Sequence, residues 1–293
     1  TTDPFVLTPR GDTLVARGSA DMKGFIAVCM QALATFRPED FRRELVLLWT
    51  HDEEVGCKGS AAFADAWLEG SAHRPLPKNA LIGEPTNFEI LRMHPGHVAI
   101  ELEVDGVAAH SSRPDLGVNA IEGAAKVIQA VQAVADELAN EPADLPEMER
   151  PIVAVNLATI HGGSAINIVP DRCVLQVGYR PLPGQDPEDV FHRIRDRVDA
   201  TRVRCRVLRV TPSLLTPRHT SLEESLLPHA CSATPGAATF ATDGGNLARL
   251  GLHPLVFGPG DINVAHKADE FVPVADLHKA IEVVRQVVRA HCM

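Results

Sequence analysis

The stretch Leu45-Val46-Leu47-Leu48-Trp49-Thr50-His51-Asp52-Glu53-Glu54-Val55-Gly56 organises the reading of this chain. Its first five residues form an unbroken apolar run, the pattern of a strand buried on both faces of a parallel sheet. Three acids in succession then end the run, an expensive arrangement unless something positive binds beside them. Ligands of open α/β sheets sit at the carboxyl ends of the strands. Adjacent residues of an extended chain point to opposite sides, so Glu53 and Glu54 cannot share one task. A metal ligand next to a general base is the division this implies.

Upstream, Leu14-Val15-Ala16 runs into Arg17-Gly18-Ser19-Ala20-Asp21-Met22-Lys23-Gly24, after which Ile26, Met30, Leu33 and Phe36 recur at helical spacing. Downstream, a helix is expected over Ala61–Trp67 with Gly70 as its stop, then a short strand Ala80-Leu81-Ile82 ending at Gly83-Glu84-Pro85-Thr86. Strand and helix alternate, which predicts an α/β fold with a parallel sheet. From His97 the texture changes. Val98, Ile100, Leu102 and Val104 alternate with polar or small residues, and a helical stripe of Ile121, Ala124, Ile128, Val131 and Leu138 follows. Strands over Ile152–Ile160 and Cys173–Tyr179, a helix opened by Asp186-Pro187, and a strand Val203–Val210 complete a β-α-β-β-α-β unit, the ferredoxin-like order. The α/β texture then returns, with a strand Leu255-Val256-Phe257 ending at Gly258-Pro259-Gly260 and a closing helix Leu277–Ala290. The expected division is therefore a catalytic domain of residues 1–95 and 212–293, interrupted by an inserted unit of residues 96–211.

A net charge of −10 argues against nucleic acid or an anionic membrane as partner, since both require a basic face. No apolar run approaches the roughly 18 residues of a membrane span. Six cysteines without C-x-x-C spacing read as free thiols of a reducing, cytoplasmic compartment.

Asp21, Glu53/Glu54, Glu84 and His266 share one context: each lies on the turn after a short apolar segment. Their oxygen and nitrogen donors suit zinc, manganese or cobalt. Any one of them alone is better explained as a solvated strand end; four at successive strand ends point to a metal site. His110 lies in a loop, Asn167 follows the Gly162-Gly163-Ser164 turn, and Arg180 ends a strand. Surface exposure, turn capping and solvation explain these three as readily as substrate binding does. Thr242 and Asp243 are candidates for a pocket wall, where Asp243 could meet a cationic side chain. No G-x-S-x-G elbow accompanies the His51-Asp52 pair, which argues against a nucleophilic triad.

Taken as an ordered set, these motifs resemble the acetylornithine deacetylase / succinyl-diaminopimelate desuccinylase family of two-metal amidohydrolases. The matching stretches are Arg17–Gly24, Asp52–Gly56, Ile82–Thr86, His110–Pro114, Gly117–Ile121, His161-Gly162-Gly163 with Asn167, Arg180–Gly184, and Gly258–Asn263 leading to Ala265-His266 and Asp269-Glu270. The resemblance implies a hydrolase of N-acyl amino acids carrying two Zn2+ ions, with Co2+ or Mn2+ as substitutes. It implies that Asp21 bridges the ions, that Glu54 and His266 complete one site, and that Glu84 belongs to the other. Glu53 becomes the proton shuttle. His110 reaches across a homodimer to stabilise the oxyanion. Arg180 and Asn167 hold the substrate carboxylate, and Gly258 joins the substrate-binding residues. The inserted unit becomes a lid and dimerisation domain. Removal of acetyl from N2-acetyl-L-ornithine is the leading reaction. Desuccinylation of diaminopimelate, deacylation of other acyl amino acids and dipeptide cleavage are alternatives. One departure stands out: the family's His-x-Asp metal motif has no counterpart in this sequence. Its absence predicts an N-terminally incomplete catalytic domain with one metal lacking its imidazole, and leaves a non-catalytic binding protein as the alternative from another class.

Overall fold

A computed structural model of the protein describes residues 2–70 and 75–293. The inserted unit is the most regular part. Strand β5 (His97–Asp105) leads through helix α3 (Ala120–Ala139) to β6 (Ala154–Gly162), and β7 (Arg172–Arg180) leads through α4 (Asp189–Arg195) to β8 (Val203–Thr211). The sheet order is β6-β7-β5-β8, with every neighbouring pair antiparallel. This is the arrangement expected of a split βαβ unit. Alternation places Val98, Ile100, Leu102 and Val104 with Cys173, Leu175, Val177 and Tyr179 on one face, where they pack under α3 and α4. Asn119 caps α3 by accepting from the amides of Ile121 and Glu122. Helix α4 begins two residues later than the Asp186-Pro187 signal suggests. The Asp186 carboxylate accepts from the Glu188 amide, and the proline lies in a turn ahead of the helix.

The remaining elements frame the candidate site. A small antiparallel sheet joins β1 (Thr8–Arg10), β2 (Thr13–Val15) and, from near the C-terminus, β12 (Phe271–Pro273). The larger sheet has β3 (Asn79–Ile82), β4 (Leu91–His94), β9 (Leu214–Leu215), β10 (Gly236–Ala237) and β11 (His253–Val256). It is mixed: β3 with β11 and β4 with β10 are parallel, while β4 runs antiparallel to β11 and β9. Helices α1 (Lys23–Leu33), α5 (Ser221–Leu226) and α7 (Val274–Cys292) cover the face of this sheet that carries Leu81, Leu255 and Phe257, while α2 (Lys58–Glu69) and α6 (Gly244–Ala248) cover the opposite face, with Ile82 and Val256. The buried stripe of α1 is Phe25, Val28, Cys29 and Ala32, whereas Met30 is exposed. The stripe expected from the sequence was displaced around the helix because Phe25 and Cys29 outcompete Ile26 and Met30 for the face toward α7.

One expectation fails outright. Residues 45–49 are not a buried strand: they pair with nothing among the described residues, and Trp49 is 50% exposed. They line a groove of about 900 Å3 whose opposite side is β3, the edge strand of the sheet. An apolar run becomes a strand only when a neighbouring ladder satisfies its backbone. Here no strand among the described residues occupies the groove.

Candidate metal centre

Asp21 lies on the turn that follows β2, and the turn is fixed by a residue from the far end of the chain. The Glu270 carboxylate accepts from the backbone amides of Ala20 (3.0 Å) and Asp21 (3.1 Å) and from Arg17 Nη1 (3.0 Å). Glu270 is 2% exposed, so three charge-assisted or backbone bonds account for its burial. This positioning role was not read from the sequence. The signal, Glu270 beside β12, gains meaning only when β12 pairs with β2.

Asp21 Oδ2 stands 3.2 Å from His266 Nε2, and Glu54 Oε2 stands 2.9 Å from the same nitrogen. Asp21, Glu54 and His266 each offer a ligand atom within 4.8 Å of the others. The hydrogen bond to Glu54, opposed by burial, raises the His266 pKa. A further carboxylate crowds in. Glu84 is fully buried at the end of β3 and shares a hydrogen bond with Asp21. Burial and then the charge of Asp21 push its pKa well above the usual range. Burial first, then the charges of Glu54 and Glu270 against the favourable His266, also raises Asp21. Three clustered carboxylates beside one imidazole are a poor structural core and a good divalent-cation site. The donor set therefore fits a metal ion.

Glu53 and Glu54 lie in a turn rather than on extended chain, and they meet different partners: Glu54 faces His266, whereas Glu53 Oε1 accepts from Cys57 Sγ at 3.4 Å. Burial, followed by the charge of Asp243, pushes its pKa up to about 7. The loop holding both glutamates is closed by amides of Gly56 and Cys57 donating to the Glu53 carbonyl at 2.9 and 2.8 Å. It is anchored by Asp243, whose two oxygens accept from Thr50 Oγ1 and Ser60 Oγ, both at 2.6 Å. Asp243 thus borders the groove but its oxygens are already engaged by hydroxyls.

Thr242 corrects the sequence reading: it is fully buried and cannot form a pocket wall. His94, also fully buried, has Nδ1 2.9 Å from the Pro95 carbonyl, so that nitrogen carries the proton and Nε2 accepts from Thr242. Burial holds His94 down at about 4 and keeps it neutral. Gly258 packs so close to the Gly83 and Glu84 carbonyls that a Cβ would lie 2.6 Å from one of them. Its part is to let β11 abut the Glu84 turn.

The inserted unit carries the other candidates at two separate ends. His110 bridges to Ile168, and the Ser111 amide donates to the Asn167 carbonyl at 3.0 Å, so His110 and Asn167 form one cluster. His110 Nδ1 lies 2.8 Å from Ser112 Oγ. Arg180 ends β7 about eight residues, or roughly 27 Å, from the strand's other end, which is the end near Asn167. Arg180 is half-buried, and burial and then Arg209 lower its pKa. His51 and Asp52 are exposed and remain outside the cluster.

A family described as a peptidase dimerisation domain matches residues 92–204. Among solved structures, an M20 family metallo-carboxypeptidase from Sulfolobus solfataricus superimposes with a TM-score of 0.74 at 18% identity, covering 99% of this chain and 80% of that one. An aminopeptidase from Bacillus cereus gives 0.73 at 18% identity, covering 97% and 75%. Fold and site together define a metal-dependent amide hydrolase with an inserted dimerisation domain. The acetylornithine deacetylase of Myxococcus xanthus is 35% identical over 99% of this chain and 76% of its own length. That of Klebsiella pneumoniae strain 342 is 33% identical over 100% and 76%. The chain belongs to the acetylornithine deacetylase / succinyl-diaminopimelate desuccinylase family.

Proposed function

We propose that the protein hydrolyses the amide of N2-acetyl-L-ornithine to ornithine and acetate, with zinc as its metal. The observation that carries this reading is the convergence of Asp21, Glu54 and His266 beside Glu53 in a chain of this family. Asp21, Glu54 and His266 would hold one ion. Asp21 and Glu84 would begin a second position, which these two residues alone do not complete. A divalent ion held there supplies Lewis acidity, polarising an amide carbonyl and making a water molecule acidic enough to attack near neutral pH.

The chain's own residues do the rest. Glu53 takes the proton of the attacking water as its oxygen adds to the acetyl carbon. When the C–N bond breaks, Glu53 passes that proton to the α-nitrogen of ornithine. A carboxyl group with a pKa of about 7 suits both halves of this exchange. Arg180, with a partly desolvated guanidinium, would receive the substrate's α-carboxylate. His110 and Asn167 belong to one cluster far from Arg180, which supports both reaching the site from the partner's lid in a homodimer, His110 toward the oxyanion and Asn167 toward the carboxylate that Arg180 also holds. Six free thiols support a cytoplasmic location, and no helix among the described residues is long and apolar enough to cross a membrane.

The test is a substrate panel with zinc, cobalt or manganese added: N2-acetyl-L-ornithine, N-succinyl-diaminopimelate, neutral acyl amino acids and dipeptides. Acetylornithine is expected to give the highest kcat/KM. Preference for another member reassigns the substrate within the family, and no hydrolysis of any supports the binding-protein reading.

A further inference from the structure

We infer that Arg209 is a positioning residue that ties the inserted lid to the loop carrying Glu53 and Glu54. The inference rests on the functional reading above only for the roles of those two glutamates.

The placement of Arg209 begins with a strand irregularity. Along β8, Val203, Cys205 and Val207 oppose Val104, Leu102 and Ile100 of β5, and all face the helix-covered core. Continued alternation would drive Arg209 into that core. Instead the register shifts by one residue: Val207 opposes Ile100, Arg209 opposes Ala99 and Val210 opposes Val98. Leu208 is the extra residue of a β-bulge, a device that re-aims a side chain. Arg209 thereby joins Arg204 and Arg206 on the polar face, where those two pair with Glu103 and Glu101.

Arg209 has no such carboxylate among the described residues. Its Nη1 donates to the Val55 carbonyl at 2.8 Å, and its Nη2 donates to His97 Nδ1 at 3.2 Å. Its Nε is buried without a partner. Two residues on, Thr211 Oγ1 reaches the Gly56 carbonyl at 3.4 Å. The loop is shaped to admit the guanidinium. Gly56 has φ +104°, and a Cβ there would fall 2.7 Å from Arg209 Nε. Glycine at this position serves both the turn and the close approach. Val55 follows Glu54 directly, so a shift of the lid strand pulls on the peptide that orients both glutamates. Displacements near 1 Å at such a point alter rates about a hundredfold.

Arg209→Met removes the donors with little change in length. The neighbouring Arg206→Met serves as control, since Arg206 does not reach the loop. In Arg209→Met, the amides of residues 55–58 are expected to exchange hydrogen about tenfold faster. The kcat on the preferred acyl amino acid is expected to fall about tenfold or more with KM nearly unchanged. Arg209→Lys is expected to fall between parent and Arg209→Met on both measures, and it decides the matter if Arg209→Met does not fold. Parent-like exchange in the Arg209 variants, or an equal change in Arg206→Met, overturns the inference. A parent protein without hydrolase activity refutes the functional reading, while the exchange comparison still decides the role of Arg209.

Discussion

At the scale of the residue, Glu53 and Glu54 differ because the turn that holds them gives each its own surroundings: His266 and Asp21 for Glu54, Asp243 and Cys57 for Glu53. Glu53→Gln keeps the shape and removes the base. It is expected to lower kcat by about 10²–10⁴-fold in steady-state assays while zinc affinity changes little. Glu54→Ala is expected to do the reverse in a chelator competition, losing most of the metal affinity. Glu270→Ala strips the Asp21 turn of its acceptor and leaves Arg17 and two amides unpaired. Urea unfolding should show a loss of about 2–4 kcal/mol. Acids at strand ends were legible in the sequence because polar side chains in such places demand a reason. Glu270 and Thr242 were not, since their partners lie on elements distant in sequence and no local pattern records them.

Among the elements, the loop of residues 50–57 depends on Asp243 more than on its own sequence. Removing either hydroxyl that feeds this carboxylate, in Thr50→Val or Ser60→Ala, is expected to destabilise the fold by about 1–3 kcal/mol, measured by denaturant unfolding. The ferredoxin-like unit was readable nearly strand by strand, because a half-buried antiparallel sheet writes its two faces into alternate residues. The run Leu45–Trp49 misled for the complementary reason. Hydrophobicity states that a segment can be buried, whereas burial needs a surface to meet, and its neighbour β3 lies across an open groove. The displaced stripe of α1 has the same origin, since several faces of that helix are apolar and the packing of α7 decides among them.

For the whole molecule, the lid is linked to the catalytic part by more than its two connecting strands. Glu147, from the loop after α3, sits between Arg92 of β4 and Arg218, accepting from Arg92 Nη2 at 2.9 Å and from Arg218. Burial pushes the Glu147 pKa up, but the bonds from Arg92 and Arg218 outweigh it and hold the group at about 2. A folded pKa below the ordinary glutamate value of about 4.3 means stability that is complete above that pH and lost as pH falls toward 2. Parent and Glu147→Gln should therefore differ by about 1–3 kcal/mol at pH 7, with the gap closing between about pH 4.5 and 2 in urea unfolding. The central claim concerns the site these parts enclose. It is tested most directly by ornithine release from N2-acetyl-L-ornithine by the zinc-loaded protein, alongside chelator-treated protein and Glu53→Gln. Release that chelation abolishes and Glu53→Gln reduces by at least about a hundredfold is the expected result. Release that survives either treatment, or no release by the zinc-loaded protein, would contradict it.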